Sequence, residues 1–227
     1  MTELFTEIGP SLLAAFWVTI KLTLFSALGA LILGTILTAM RVCPVGILRS
    51  LAAGYIELLR NTPLTLIVLF CSIGLYQNLG LALAPENDDF IVNNNFWLAV
   101  LGFTLYTAAF VAESLRSGIN TVPFGQAEAA RSLGLTFGQV FSKIIFPQAL
   151  RAAIIPLGNT AIALTKNTTI ASIIGVGEAS LLMKETLENN ANLLFPTFGI
   201  FALGFVALTL PMGLLFGRAG LNLAVRQ

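Results

Sequence analysis

Residues 123–147, PFGQAEAARSLGLTFGQVFSKIIFP, form a polar, helix-favouring island between long apolar segments. Pro123 suits the first turn of a short helix, where its missing N–H is not needed, and Gln126 to Leu133 continue with good helix formers. Gly134 stops that helix, because glycine accepts a left-handed conformation. Thr136 and Gln139 have the spacing of a capping box and open a second helix that runs towards Pro147. The stretch predicts helix, tight turn, helix. With Ala129 and Ala130 leaving its backbone approachable, such a knob has the shape of a plug for a groove; the plainer alternative is an ordinary connecting hairpin.

The surroundings decide what kind of chain carries the knob. At 227 residues, 56% hydrophobic and only 10% charged, with a mean hydropathy of +0.88, the sequence is too apolar for a soluble globular domain. A net charge of +1 gives no argument for a nucleic-acid partner. With no histidine and two isolated cysteines, Cys43 and Cys71, a Cys/His zinc site, a Ser-His-Asp triad and an HExxH helix are excluded; no metal site and no catalytic residue is expected. Both cysteines fall in or beside apolar runs and read as buried thiols. Glu3 and Glu7, without Lys or Arg in the first ten residues, do not make a cleavable signal peptide, so the first span is expected to stay in the mature protein.

A hydrocarbon core about 30 Å thick needs roughly 20 apolar residues in a helix, and five candidate spans meet that need: about 12–40, 62–83, 96–115, 152–176 and 193–216. Membrane spans must satisfy their backbone internally, so the fold class is all-α, a polytopic helical bundle forming a single domain over 1–227. In the first span Ser26, Ala30, Gly34 and Thr38 recur every four residues and offer a small-residue face for close helix packing. Lys21 reads as a snorkelling side chain. The basic stretch with Arg41, Arg49 and Arg60 reads as a loop, as do the segment from Pro85 through Asn93-Asn94-Asn95 and the polar residues around Lys184 to Asn192. Glu113 and Arg116, three apart, suit a local pair on one helix face.

Charge placement orients the chain. With the N terminus outside and the C terminus cytoplasmic, Arg41, Arg49, Arg60, Arg116, Arg131, Lys143, Arg151, Arg218 and Arg226 lie inside, and Lys184, with Lys21 near it, outside. That count places the loop 120–147 in the cytoplasm without using its motif.

The island resembles the E-A-A-x3-G-x9-I-x-L-P loop of ABC import permeases: Glu128-Ala129-Ala130, Gly134, Ile144 and Pro147 fit, and Phe146 replaces the leucine. Around it, Arg60-Asn61-Thr62-Pro63-Leu64 looks like R-G-T-P-L, Ala112-Glu113 through Gly118-Ile119 is similar to A-E-x-x-R-G-G-I, and Lys166-Asn167-Thr168-Thr169 resembles K-D-T-S of the polar amino acid branch. Overall the chain looks most like permeases of actinobacterial glutamate importers. The resemblance implies a type I importer permease with a cytoplasmic coupling helix, in which Glu128, Ala129, Ala130, Gly134, Ile144 and Pro147 couple to an ATPase. It also implies a bacterial cell membrane location and four kinds of partner: a dimer of ATP-binding subunits, a second and related permease, an extracytoplasmic substrate-binding protein and membrane lipid. No G-x-x-x-x-G-K-[ST] loop occurs in the sequence, so ATP and Mg are expected to bind in a partner chain and the permease itself needs no cofactor.

Lys166 lies deep in the fourth span, where an ionisable group reads by default as functional. If it lines the pathway its ammonium complements a substrate carboxylate, with Asn159, Thr165 and Thr168 offering neutral hydrogen bonds; the alternatives are snorkelling outward or pairing with Glu178. A stand-alone channel or secondary transporter is the competing reading of the whole chain. Such proteins often carry inverted repeats, and none is visible here.

Overall fold

A computed structural model of the chain describes residues 2–223, and among these every regular element is helical. Three long helices, α1 (Thr2–Val42), α4 (Phe90–Ile119) and α10 (Leu194–Leu223), contain apolar stretches able to cross a membrane. Two bent pairs, Gly46–Asn61 with Leu64–Asn78 and Phe137–Ala152 with Ile154–Ile174, bring the candidates to five when each pair is counted as one span. Arg226 lies outside the described residues.

α1 and α4 pack closely because their contact face lacks bulk. Ser26, Ala30, Gly34 and Thr38 are all buried. A Cβ on Gly34 would stand 2.6 Å from Val111 Cγ1, and one on Gly29 2.8 Å from Thr104. Thr38 Oγ1 donates to Gly34 O at 2.7 Å and lies 3.3 Å from Ala112 O, tying the pair near one end. Lys21 extends over the Phe96 ring, 5.7 Å from its centroid.

The expected basic loop after α1 is instead a helix, α2 (Gly46–Asn61). Its Leu, Ala, Glu and Arg residues are good helix formers, and Ala52 and Ile56 bury one face against α1 and α4. Tyr55 OH donates to Leu105 O at 2.7 Å. Pro63 then holds Thr62 in extended backbone and ends the helix. The chain turns by 105° into α3 (Leu64–Leu69), which continues as a π-helix over Phe70–Asn78. The arm after the bend ends at Asn78, short of the expected 83, and stops before Gly80, whose φ is 69°.

Asn93, Asn94 and Asn95 are also not a loop; they lie inside α4. Their amides serve distant backbone: Asn94 Oδ1 accepts from Leu83 N–H at 2.7 Å, and Asn95 Nδ2 donates to Ile174 O at 2.7 Å. Amide clusters suggest turns because they compete with local backbone, but here their partners are far along the chain.

Past α4 come α5 (Phe124–Ser132), α6 (Phe137–Val140), a π-turn over Phe141–Ile145, α7 (Phe146–Ala152) and α8 (Ile154–Asn167). The fourth span leaves α-geometry at Thr168 and continues as a 3₁₀-helix to Ile174, where Gly175 ends it with φ 76°. Hydroxyls favour that tightening: Thr168, Thr169 and Ser172 each donate to the carbonyl three residues back, at 2.8, 2.9 and 2.8 Å. α9 (Ala179–Asn189) occupies part of the stretch read as a polar loop, capped by Glu178. Cys43 and Cys71 are buried free thiols.

Candidate functional site: the hairpin and an amide-lined cleft

The island folds as its punctuation predicts. Gly134 has φ 83°, Leu135 N–H donates to Ala130 O at 3.2 Å, and Gly134 N–H donates to Arg131 O at 2.9 Å. Those two bonds make a Schellman closure of α5, which satisfies its last carbonyls. Thr136 and Gln139 form a reciprocal capping box, with Thr136 N–H to Gln139 Oε1 at 2.9 Å and Gln139 N–H to Thr136 Oγ1 at 3.4 Å. Pro123 stands one position earlier than expected, at the cap rather than in the first turn of α5.

A proline inside the second arm would normally break it. The π-turn absorbs Pro147: Phe146 N–H reaches Phe141 O, and Gln148 Nε2 covers Ile144 O at 2.8 Å. The same amide donates to Gln126 Oε1 at 2.7 Å and links the two arms.

Glu128, Ala129, Gly134 and Pro147 are exposed on the hairpin, and Ile144 is half-buried. Ala130 is buried, so only Ala129 of the alanine pair leaves backbone approachable. Phe124 and Leu133, 77% and 81% exposed, flank α5 with apolar surface that nothing within the chain covers.

The second feature is an open cleft of about 260 Å³ between α4 and α8, walled by Tyr106, Thr107 and Phe110 on one side and Asn159, Thr160 and Asn167 on the other. Of the four residues expected on a pathway it holds only Asn159. Thr165 and Thr168 are buried with their hydroxyls given to Ala161 O at 3.0 Å and Thr165 O at 2.8 Å, and Thr165 also meets Met212 Sδ at 3.6 Å. The helical period explains the separation: a residue six positions on lies across the helix from Asn159, against α10. Lys166, seven positions on, stays beside Asn159 and is exposed. It does not pair with Glu178, whose oxygens accept the Ser180 and Leu181 N–H groups at 2.8 and 3.0 Å. Tyr106 and Phe110 were not singled out in the sequence, and Asn167 entered only within the run that resembles K-D-T-S, although Asn159, Ala163 and Asn167 are spaced for one helical face.

Below the cleft wall, on the side of the hairpin, Glu113 receives three arginines. Arg41 Nη1 lies 3.1 Å and Arg60 Nη1 3.8 Å from its Oε1, and Arg116 Nη1 3.5 Å from its Oε2. The expected pair with Arg116 exists, and two further arginines join it.

Five apolar spans and a capped hairpin between the third and fourth are the architecture of a membrane component of a transport system. A family model described as the binding-protein-dependent transport system inner membrane component matches residues 30–223, and the chain belongs to that family. It is 72% identical, over the whole of both chains, to the glutamate transport system permease protein GluC of Corynebacterium glutamicum. It is 33% identical to the probable glutamine ABC transporter permease protein GlnM of Bacillus subtilis over 88% of this chain and 87% of that one. A crystal structure of an amino acid ABC transporter with histidines superposes with a TM-score of 0.80 at 27% identity, covering 96% of each chain. An inward-facing form of the MetNI methionine ABC transporter gives 0.76 at 17% identity, over 96% of this chain and 98% of that one, a likeness of fold alone.

Proposed function

We propose that this chain forms half of the translocation pathway of an ATP-driven importer of glutamate or a related polar amino acid. The observation that carries the coupling role is the closed hairpin, which presents Glu128, Ala129, Gly134 and Pro147 on one exposed knob and leaves Phe124 and Leu133 uncovered. Rigid, capped and apolar at its edges, it suits a groove in another protein. The full-length likeness to a glutamate permease supports the cargo.

In this reading a dimer of ATP-binding subunits holds ATP and Mg and grips the hairpins of two permeases, this chain and a related one. An extracytoplasmic binding protein delivers the amino acid. ATP binding closes the ATPases, draws the hairpins together and opens the pathway outward. The N terminus lies outside and the C terminus in the cytoplasm, supported by the gathering of Arg41, Arg60 and Arg116 at the end of the bundle that carries the hairpin. Asn159 faces the cargo from the cleft, with the exposed Lys166 two turns on along the same helix, while Ala130 and Ile144 shape the knob from within.

The test is uptake of labelled glutamate by cells expressing the complete system, with unlabelled Glu, Gln, Asp, Arg and His as competitors. Competition by the acidic amino acids is expected. Uptake blocked only by Arg or His would overturn the assigned cargo.

A further inference from the structure

Tyr106 and Phe110, which wall the cleft, and Glu113 follow one another at helical spacing on α4, so they share one stripe. All three are partly exposed, while Thr107, Ala108, Ala109, Val111 and Ala112 beside them are buried. The stripe thus runs open from the cleft to the arginine cluster. Arg60 joins the two directly: its guanidinium lies over the Phe110 ring, 5.8 Å from the centroid, and reaches Glu113 at 3.8 Å.

The cluster is not electrically balanced. Three guanidinium groups share the one carboxylate of Glu113, and among the described residues no other acid pairs with them. Arg41 is the closest to Glu113, with a side chain 20% exposed, whereas Arg60 and Arg116 are 45% and 44% exposed and sit at longer distances. A guanidinium presents a planar fork of donors that fits a carboxylate bidentately. Arg60 and Arg116 therefore have donors left over at the end of a path that an amino acid would follow.

We propose that Arg60 and Arg116 form a carboxylate-binding exit site, where the cargo's carboxylate competes with Glu113 for the guanidinium groups before it leaves on the hairpin side. Glu113 returns to the arginines as the cargo departs and so keeps the site from holding it. This rests on the transport reading above and adds the inner site to it. Any amino acid carries an α-carboxylate, so the exit site does not depend on the cargo being glutamate.

The test uses the complete transporter in proteoliposomes and reads amino acid accumulated per ATP hydrolysed. Arg60→Gln with Arg116→Gln should lower that ratio about tenfold, the scale of one lost charge-assisted contact, while hydrolysis continues. Glu113→Gln leaves the guanidiniums in place but removes the carboxylate that displaces the cargo, so turnover should fall while the ratio of cargo to ATP stays within about twofold. An equal fall of the ratio in Glu113→Gln would mean that the arginines merely hold Glu113, and would overturn the proposal, as would an unchanged ratio in the arginine variant. If the double variant does not assemble, Arg60→Lys, which keeps the charge and loses the fork, should lower the ratio about threefold; no change there overturns the proposal equally. Liposomes of phosphatidylcholine alone, which carry no net-anionic headgroup, separate an anionic lipid from the cargo: the wild-type ratio should persist, and a fall to the variant's level would place an anionic lipid on the arginines instead. A wild type that carries another amino acid in place of glutamate refutes the assigned cargo, and the ratio measured with that amino acid still decides the exit site.

Discussion

Gly118 on α4 stands directly against the carbonyl oxygen of Ala149 on α7, with no space between them for a Cβ. This is where the returning arm of the hairpin is seated on the bundle, and Ala149 is itself 1% exposed. Gly118→Ala should push α7 outward and cost about 1–3 kcal/mol, the usual range for overpacking. A fall in the melting temperature of the detergent-solubilised protein, with loss of transport, is expected. An unchanged melting temperature would show that the seat is not tight.

Gly134 poses the opposite case, because a Cβ there would meet nothing within 4 Å and only its φ of 83° resists substitution. Left-handed backbone costs a side-chain-bearing residue about 1–2 kcal/mol, and asparagine bears it best. Transport should therefore fall in the order Gly134, Asn, Ala, Val. If Gly134→Val transported as well as Gly134→Asn, the shape of the turn would not matter to coupling.

Glu178 makes stability depend on pH. It lies between the fourth span and α9, outside the spans, and burial pushes its carboxyl up to about 7 against the Ser180 and Leu181 N–H bonds and Lys184, which pull it down. Lys184 is the charged group facing it, bonded to Ser172 Oγ at 2.8 Å. A folded pKa above the ordinary 4.5 means that the fold favours the protonated acid, so the contribution is complete below that value and is lost as pH rises through 7. Thermal stability should decline between about pH 5 and pH 8, and Glu178→Gln should flatten the decline. An equal slope in the variant would assign it to another group.

The cleft separates two residues that the sequence had grouped. If the cleft is the proposed pathway, Asn159→Leu should lower uptake about tenfold by removing a polar group from its wall. Thr165→Val, on the buried side of α8, should leave the rate within about twofold. Equal effects of the two would remove the cleft from the pathway.

The hairpin was legible in the sequence because each of its signals is local: the left-handed Gly134 lets its own N–H reach Arg131 O and that of Leu135 reach Ala130 O, closing α5, and Thr136 caps through Gln139. The small-residue face of α1 was legible because the helical period is fixed. The arginine cluster was not, since Arg41 meets Glu113 72 positions away and only the packing of α1, α2 and α4 brings them together. α2 was missed because a polar stretch too short and charged to span was read as a loop, although its composition favours helix. Thr165 lies outside the cleft for a reason the sequence does hold: the helical period sets it across α8 from Asn159.

The central claim is that this permease is driven by an ATPase in another chain through the hairpin. It is tested most directly by hydrolysis and uptake measured together in proteoliposomes holding the complete system, with the wild type beside Gly134→Asp. Hydrolysis stimulated by loaded binding protein, uptake that follows it, and a variant that inserts into the membrane yet does not transport are the predicted results. Normal uptake by Gly134→Asp, or equal uptake by the wild-type chain with no ATP-binding subunit present, would contradict the account.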